Sequence, residues 1–196
     1  MEFKLRQASR EDAPFIAETV MRAMGDAICS KMAGKPEKLP LIVQLFTELA
    51  AAETSQYSYR NTLIAETPDN RPAGAVVSYD GAMLYQLRQA FIDGANRLLG
   101  WNIRQEDFTP ETSDDEFYLD SLMVSPEYRR RGLAGILIRE AAKKAREAGK
   151  PLGLLVDHDN PGARRLYVAS GFKSVGTRPF AGVDMEHMQL DGSQIL

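Results

Sequence analysis

The hydrophobic period of this chain changes twice between Phe117 and Val156, and that change narrows the fold more than any other feature. Phe117 to Val124 reads as a strand ending at Ser125-Pro126. Leu133, Leu137, Ala141, Ala145 and Ala148 then recur on one helical face, and Gly149 with Pro151 closes that helix. Leu152 to Val156 is a short apolar run suited to a central strand. Asn160-Pro161 combines a favoured N-cap with a favoured first-turn proline, so another helix follows and stops at Gly171. Strands are expected near 172–176 and 184–190.

Upstream, Phe3, Leu5 and Gln7 alternate with Lys4 and Arg6 in a strand-like start. Ser9-Arg10-Glu11-Asp12 has the form of a helix N-terminal box, and Ala13, Ile16, Val20 and Met24 predict a helix from about Glu11 to Gly25. Ser30 to Lys38, with Gly34 and Pro36, reads as a break, and Leu41, Leu45 and Leu49 mark a second helix to about Ala52. Tyr59 to Glu66 and Ala73 to Tyr79 flank the turn composition Pro68-Asp69-Asn70-Arg71-Pro72, which predicts an antiparallel hairpin. Leu84, Leu87, Phe91 and Leu98 trace a third helix, and 106–116, with six acids and no base, reads mainly as loop. There is no internal repeat and no low-complexity linker. One α/β domain with a mixed sheet over residues 1–196 is the expected architecture.

Composition limits the function classes. With 196 residues, 44% hydrophobic and 26% charged, the chain can bury a full core, which argues against disorder. The single cysteine, Cys29, excludes an intrachain disulfide scaffold and a four-cysteine zinc site. Met1 to Arg6 is too charged for a secretory signal, and no apolar run approaches the roughly 18 residues of a membrane span. A cytoplasmic protein without membrane partners is therefore expected. The net charge of −3 argues against a nucleic-acid-coating surface. Charge is nevertheless concentrated: Arg129 to Lys150 holds eight Lys or Arg against two Glu, leaving 16 basic and 25 acidic residues elsewhere.

The basic stretch opens with Val124-Ser125-Pro126-Glu127-Tyr128-Arg129-Arg130-Arg131-Gly132-Leu133-Ala134-Gly135, a strand end, a basic turn and a helix start. At such a place backbone N–H groups converge with the positive end of the helix dipole, and small residues let a phosphate approach. Neighbouring arginines add charge-assisted hydrogen bonds. The segment suggests a pyrophosphate cradle, against the alternative of a solvated basic face. It is neither a P-loop nor the dinucleotide fingerprint, since both glycine patterns are absent.

Arg129-Arg130-Arg131-Gly132-Leu133-Ala134 resembles the acetyl-CoA motif Arg/Gln-x-x-Gly-x-Gly/Ala of the GNAT N-acetyltransferases. A second segment similar to that family follows in the right order, Asn160-Pro161-Gly162-Ala163-Arg164-Arg165-Leu166-Tyr167 and then Gly171-Phe172. The resemblance is strongest from about Phe117 to Phe172. It implies a GNAT-like mixed, mostly antiparallel sheet of six to seven strands with helices on both faces. It also implies that acetyl-CoA is the cosubstrate, that no metal is required, and that the acetyl group passes directly to an amine. Leu122, Met123 and Val124 occupy the positions whose main chain pairs with the pantetheine arm. The loop from Arg129 through Arg130, Arg131, Gly132, Leu133 and Ala134 to Gly135 would hold the pyrophosphate, and Asn160 aligns with a residue that contacts the cofactor. Tyr167 aligns with a tyrosine that protonates the departing thiolate; taken alone it also reads as a core aromatic.

A neutral amine nucleophile requires a proton acceptor, because an amine near pKa 10 is mostly protonated at neutral pH. The position where several family members carry a glutamate is Tyr118 here. Period-two alternation would put Glu116, Tyr118 and Asp120 on one face, making Asp120 the first candidate base and Glu116 the second. A strand acid paired with an arginine is the alternative. His158, between Asp157 and Asp159, reads as a surface-loop histidine rather than a ligand, and Cys29 as a small core residue at the end of the first helix.

The family joins its third and fourth strands by a short turn, whereas about 36 residues, Asp80 to Asp115, separate them here. This insertion, about 80–115, is expected to cover or line the acceptor pocket, with Glu106, Asp107, Glu111, Asp114 or Asp115 drawing in a cationic amine; a solvated acidic loop is the alternative. Two other function classes remain at this point: an acyl-CoA-binding or interaction module without turnover, and nucleic-acid binding. A monomer or a homodimer fits the composition equally.

Overall fold

The apolar strands predicted near the middle of the chain form the centre of a seven-stranded sheet. The computed structural model describes residues 2–191. The strands are β1 (Lys4–Gln7), β2 (Thr62–Glu66), β3 (Pro72–Asp80), β4 (Phe117–Val124), β5 (Leu152–Asp157), β6 (Lys173–Phe180) and β7 (Val183–Leu190). Their order across the sheet is β1-β2-β3-β4-β5-β7-β6. Every neighbouring pair is antiparallel except β4 and β5, the strand–helix–strand pair, which run parallel.

Because the central strands are buried on both faces, helices cover both. On one face α5 (Leu133–Glu147) and α6 (Pro161–Ala169) pack Leu137, Ile138, Ala141 and Tyr167 against Val76, Leu119 and Leu154. On the other, α1 (Ala13–Met24), α3 (Leu39–Ala51) and α4 (Leu84–Leu99) pack Ile16, Val20, Phe46 and Ala95 against Ile64, Ala75 and Val77. Among the described residues no helix is long and apolar enough to cross a membrane.

Several local expectations change. Ser30 to Ala33 is helical, as the end of α2 (Asp26–Ala33), and the break shrinks to Gly34 and Lys35. Gly25 turns the chain between α1 and α2, so Cys29 is buried on the second of these helices rather than at the end of the first. The hairpin's first strand begins at Thr62, because Ser58 Oγ accepts from the Arg60 amide and holds Tyr59–Asn61 in a 3-10 turn. The last hairpin is longer than its pattern suggested: β6 reaches Phe180, with a register shift between Ser174 and Gly176.

One further change matters most for chemistry. Ser121 pairs with Val77 and Leu119 with Ser78, so Asp120 is the unpaired extra residue of a β-bulge in β4. A bulge re-aims a side chain and bends its strand.

Candidate active site

Two backbone pairings, Phe117 with Leu152 and Tyr118 with Gly153, join β4 to β5. Beyond them β4 continues along β3 to Val124, while β5 continues along β7 to Asp157. The two strands therefore part, and the β5-facing main chain of Leu122, Met123 and Val124 is left without a strand partner. A cleft of about 400 Å³ opens at the fork, walled by Tyr118, Asp120, Ser121 and Leu122 from β4, Leu155 and Val156 from β5, and Asn160, Ala163 and Tyr167 around α6.

The Arg-rich loop stands at the wide end of the fork. Its backbone is left-handed at Arg130 (φ 58°) and Gly132 (φ 77°), on either side of Arg131. Such reversals turn successive N–H groups toward one side, and a non-glycine residue held there marks a constrained site. The first intrahelical bond of α5 runs from the Ile136 amide to the Gly132 carbonyl, so the amides of Leu133, Ala134 and Gly135 have no carbonyl of their own helix. Arg129 Nε donates to the Val124 carbonyl at 3.1 Å, tying the loop to the strand end. Arg130 and Arg131 are exposed, Arg131 with its guanidinium 5.9 Å from the Tyr128 ring centroid. Asn160 uses its Oδ1 to cap α6 through the Ala163 amide, so the group it offers a ligand is its Nδ2.

Asp120 and Tyr167 both line the cleft. Tyr167 packs edge-on to Phe172, and burial pushes its phenol up to about 12. Asp120 accepts from Tyr79 Oη at 3.2 Å and from Ser121 Oγ at 2.8 Å. Burial, reinforced by the Glu111 charge, pushes its carboxyl up to about 7, against the opposing hydrogen bonds from Ser121 and Tyr79. Tyr57, Tyr79 and Tyr118 are held well above the ordinary phenol range, by burial first and by the Asp120 charge next.

Glu116 stands apart from this pair. It is fully buried, accepting at one oxygen from Thr112 Oγ1 and the Ser113 amide and at the other from His187 Nε2 and Gln189 Nε2. His187 Nδ1 accepts from Arg178 Nε, which leaves the ring proton on Nε2 and makes it the donor to Glu116. Burial alone would raise the Glu116 carboxyl, but its hydrogen bonds together hold it below the usual range. His158 is exposed in the turn after β5. Among the described residues, no group of three or more His, Cys, Asp or Glu is arranged to hold a metal ion.

Residues 80–115 supply one wall of a second chamber. About 680 Å³ in volume, it is lined by Phe46, Tyr57, Phe91, Trp101, Phe108 and Phe180, with Arg88 and Glu111 among its polar groups. Met24, Ile28, Tyr57 and Phe180 belong to the walls of both chamber and cleft. Of the five acids suggested for steering, Asp107 and Glu111 reach this chamber, while Asp114 and Asp115 line a separate open groove beside Arg178. Sequence reading missed Gln56, Tyr57, Tyr79 and Arg88. Arg88 alone left a trace, as a cation on the buried side of an amphipathic helix.

The sequence profile of the Acetyltransferase (GNAT) family matches residues 53–172, a span that contains β4, the Arg-rich loop and Tyr167. The chain belongs to the GNAT acetyltransferase family. It is an acyltransferase, and acetyl-CoA is the family's cosubstrate. A crystallised acetyltransferase is 31% identical, with 95% of this chain and 97% of that one covered at a TM-score of 0.70. An N-acetyltransferase from Staphylococcus aureus Mu50 is 24% identical over 95% of this chain and 100% of its own, at a TM-score of 0.75. Mutant forms of the spermidine/spermine N-acetyltransferase SpeG from Vibrio cholerae are 16% identical over 99% of this chain and 97% of theirs, at a TM-score of 0.57. These last two share the GNAT fold. No curated protein matches the chain in sequence.

Proposed function

We propose that this GNAT enzyme transfers the acetyl group of acetyl-CoA to an amine acceptor, with Asp120 as general base and Tyr167 as general acid. The observation that carries the reading is that both side chains wall one cleft at the fork between β4 and β5. The β5-facing main chain of Leu122, Met123 and Val124, which has no strand partner, receives the pantetheine arm as an added strand would be received. The amides from Arg130 to Gly135, with the guanidinium groups of Arg129, Arg130 and Arg131, hold the pyrophosphate, and Asn160 Nδ2 adds one donor.

The amine nitrogen attacks the acetyl carbonyl carbon, forming the C–N bond as the C–S bond breaks. The proton lost by the amine goes to Asp120, and the sulfur takes the Tyr167 proton; solvent exchange then restores both groups. Asp120, pushed up to about 7, is ionised on the alkaline side of that value yet basic enough to accept a proton there. Tyr167, at about 12, stays protonated across the working range. Glu116 is assigned a positioning role instead, since its four hydrogen bonds already occupy both oxygens.

The test is a panel of amines assayed for CoA release from acetyl-CoA, with Tyr167→Phe alongside the wild type. At least one amine is expected to release CoA, and Tyr167→Phe to lower kcat by about 100-fold with little change in the KM for acetyl-CoA. Failure of every amine, or an unchanged kcat in the variant when chemistry is rate-limiting, would refute it.

A further inference from the structure

The aromatic chamber has chemistry of its own. Six aromatic side chains wall it, three of them, Phe91, Trp101 and Phe108, brought by the insertion. Phe91 packs edge-to-face with both Trp101 and Phe108, and the Arg88 guanidinium lies over the Phe108 ring. Its volume of about 680 Å³ suits a drug-sized ligand.

Charge in the chamber is already balanced. Arg88 is 2% exposed and forms an ion pair with Glu111, itself 5% exposed. The second Glu111 oxygen accepts from Gln56 Nε2 at 2.8 Å, so each oxygen already carries one donor and the charge of Glu111 is matched by Arg88. Lys31 adds a positive charge at the wall, with Nζ on the Ala181 carbonyl at 3.0 Å. The remaining acid, Asp107, is exposed and accepts from the Arg104 amide. A long polycation would find no unpaired buried carboxylate here.

One polar valence does remain. Arg88 Nη1 is buried without a hydrogen-bond partner among the described residues, and a buried donor left so is costly. Since the Arg88–Glu111 pair is neutral as a whole, its best complement is a neutral acceptor oxygen rather than a second carboxylate beside Glu111. The same pair is linked to the proposed base: Gln56 Nε2 also donates to Tyr79 Oη at 3.1 Å, and Tyr79 Oη donates to Asp120.

We propose that the acceptor is an arylalkylamine carrying a neutral carbonyl-type oxygen, with its ring in the aromatic chamber, its oxygen on Arg88 Nη1 and its amine extended to Asp120. This rests on the reading of the cleft as the acetyl-transfer site. The ring packs among the chamber's aromatic side chains, the oxygen completes Arg88, and the amine reaches the cleft where the two spaces adjoin at Tyr57 and Phe180.

Trp101, the only tryptophan, lines the chamber and reports binding without turnover. The wild type is titrated with benzylamine, 4-(aminomethyl)benzamide, 4-(aminomethyl)benzoate and spermidine, following Trp101 emission and, with acetyl-CoA, CoA release. The benzamide is expected to change Trp101 emission and to exceed benzylamine about 10-fold in kcat/KM, with the benzoate and spermidine below benzylamine. In the charge-balanced double variant Arg88→Met with Glu111→Gln, the benzamide's advantage is expected to fall to within about 2-fold of benzylamine. Thermal unfolding of that variant, and a second variant, Phe108→Ala, which should raise KM for both aryl amines and spare that for spermidine, guard against a misfolded result. Preference for spermidine or the benzoate, or CoA release without any Trp101 response to aryl amines, overturns the inference while leaving acetyl transfer intact. A Trp101 response to the benzamide without CoA release from any amine supports the chamber assignment and defeats the proposed transfer.

Discussion

A carboxyl group that shares its cleft with three buried phenols and lies within the field of a second acid is easier to protonate than one in water. Asp120 has that setting, and burial with the Glu111 charge pushes its carboxyl up to about 7. The sign of its effect on stability follows. Between its ordinary value of 3.8 and about 7 the folded protein binds more protons at this site than the unfolded chain does, so stability falls as pH rises through that window. Asp120→Asn removes the ionisable group, so its melting temperature relative to wild type should climb between pH 5 and pH 8, as read by thermal unfolding. In activity the same change should lower kcat by about 100-fold and abolish the inflection near pH 7 in kcat/KM. An unchanged profile would remove Asp120 from the base role. Asp120 was legible as a candidate from its place on a predicted strand. Its raised pKa was not, because the causes, burial in the folded cleft and the charge of Glu111, arise only when distant parts of the chain come together.

At the scale of elements, strands and helices with their own periodicity were readable, and so was the Arg-rich turn, whose glycine and arginines sit together in the chain. What escaped was set by tertiary pairing. Asp26 to Ala33 is short and interrupted by polar residues, and becomes a helix by packing against α3. The β4 bulge depends on a register choice with β3 that no local pattern records. Glu116 looked like a strand acid beside Asp120, yet its partners His187 and Gln189 come from β7 and Thr112 from the insertion. Gly153 belongs to the same arrangement, since a Cβ added there would collide with Glu116 Oε2. Gly153→Ala should therefore force the carboxylate off its donors and cost about 2–3 kcal/mol, measured by denaturant unfolding. A cost under about 0.5 kcal/mol would mean that the Glu116 cluster holds no strands together.

At the scale of the molecule, residues 80–115 supply much of a large chamber, and its aromatic lining could not be assembled from residues scattered between Phe46 and Phe180 without the fold. The basic segment, by contrast, is divided: Arg129 is tied to the strand end at Val124, while Lys143 and Arg146 are exposed on α5. CoA at 100 times its Kd should stabilise the protein by about 2.7 kcal/mol, raising the melting temperature by about 5–10 °C, whereas an oligonucleotide of similar charge should leave it unchanged. Equal shifts from both would point to a nonspecific polyanion surface. The fork has one more consequence. With two backbone rungs between β4 and β5, the sheet is a pair of half-sheets, β1 to β4 and β5 to β7, hinged on that short seam and the α5 core. Each half can exchange its amide hydrogens through openings of its own. A ligand lying in the seam would touch one edge of each half and should couple them, so that amides as distant as those of β1 and β6 gain protection together in hydrogen exchange.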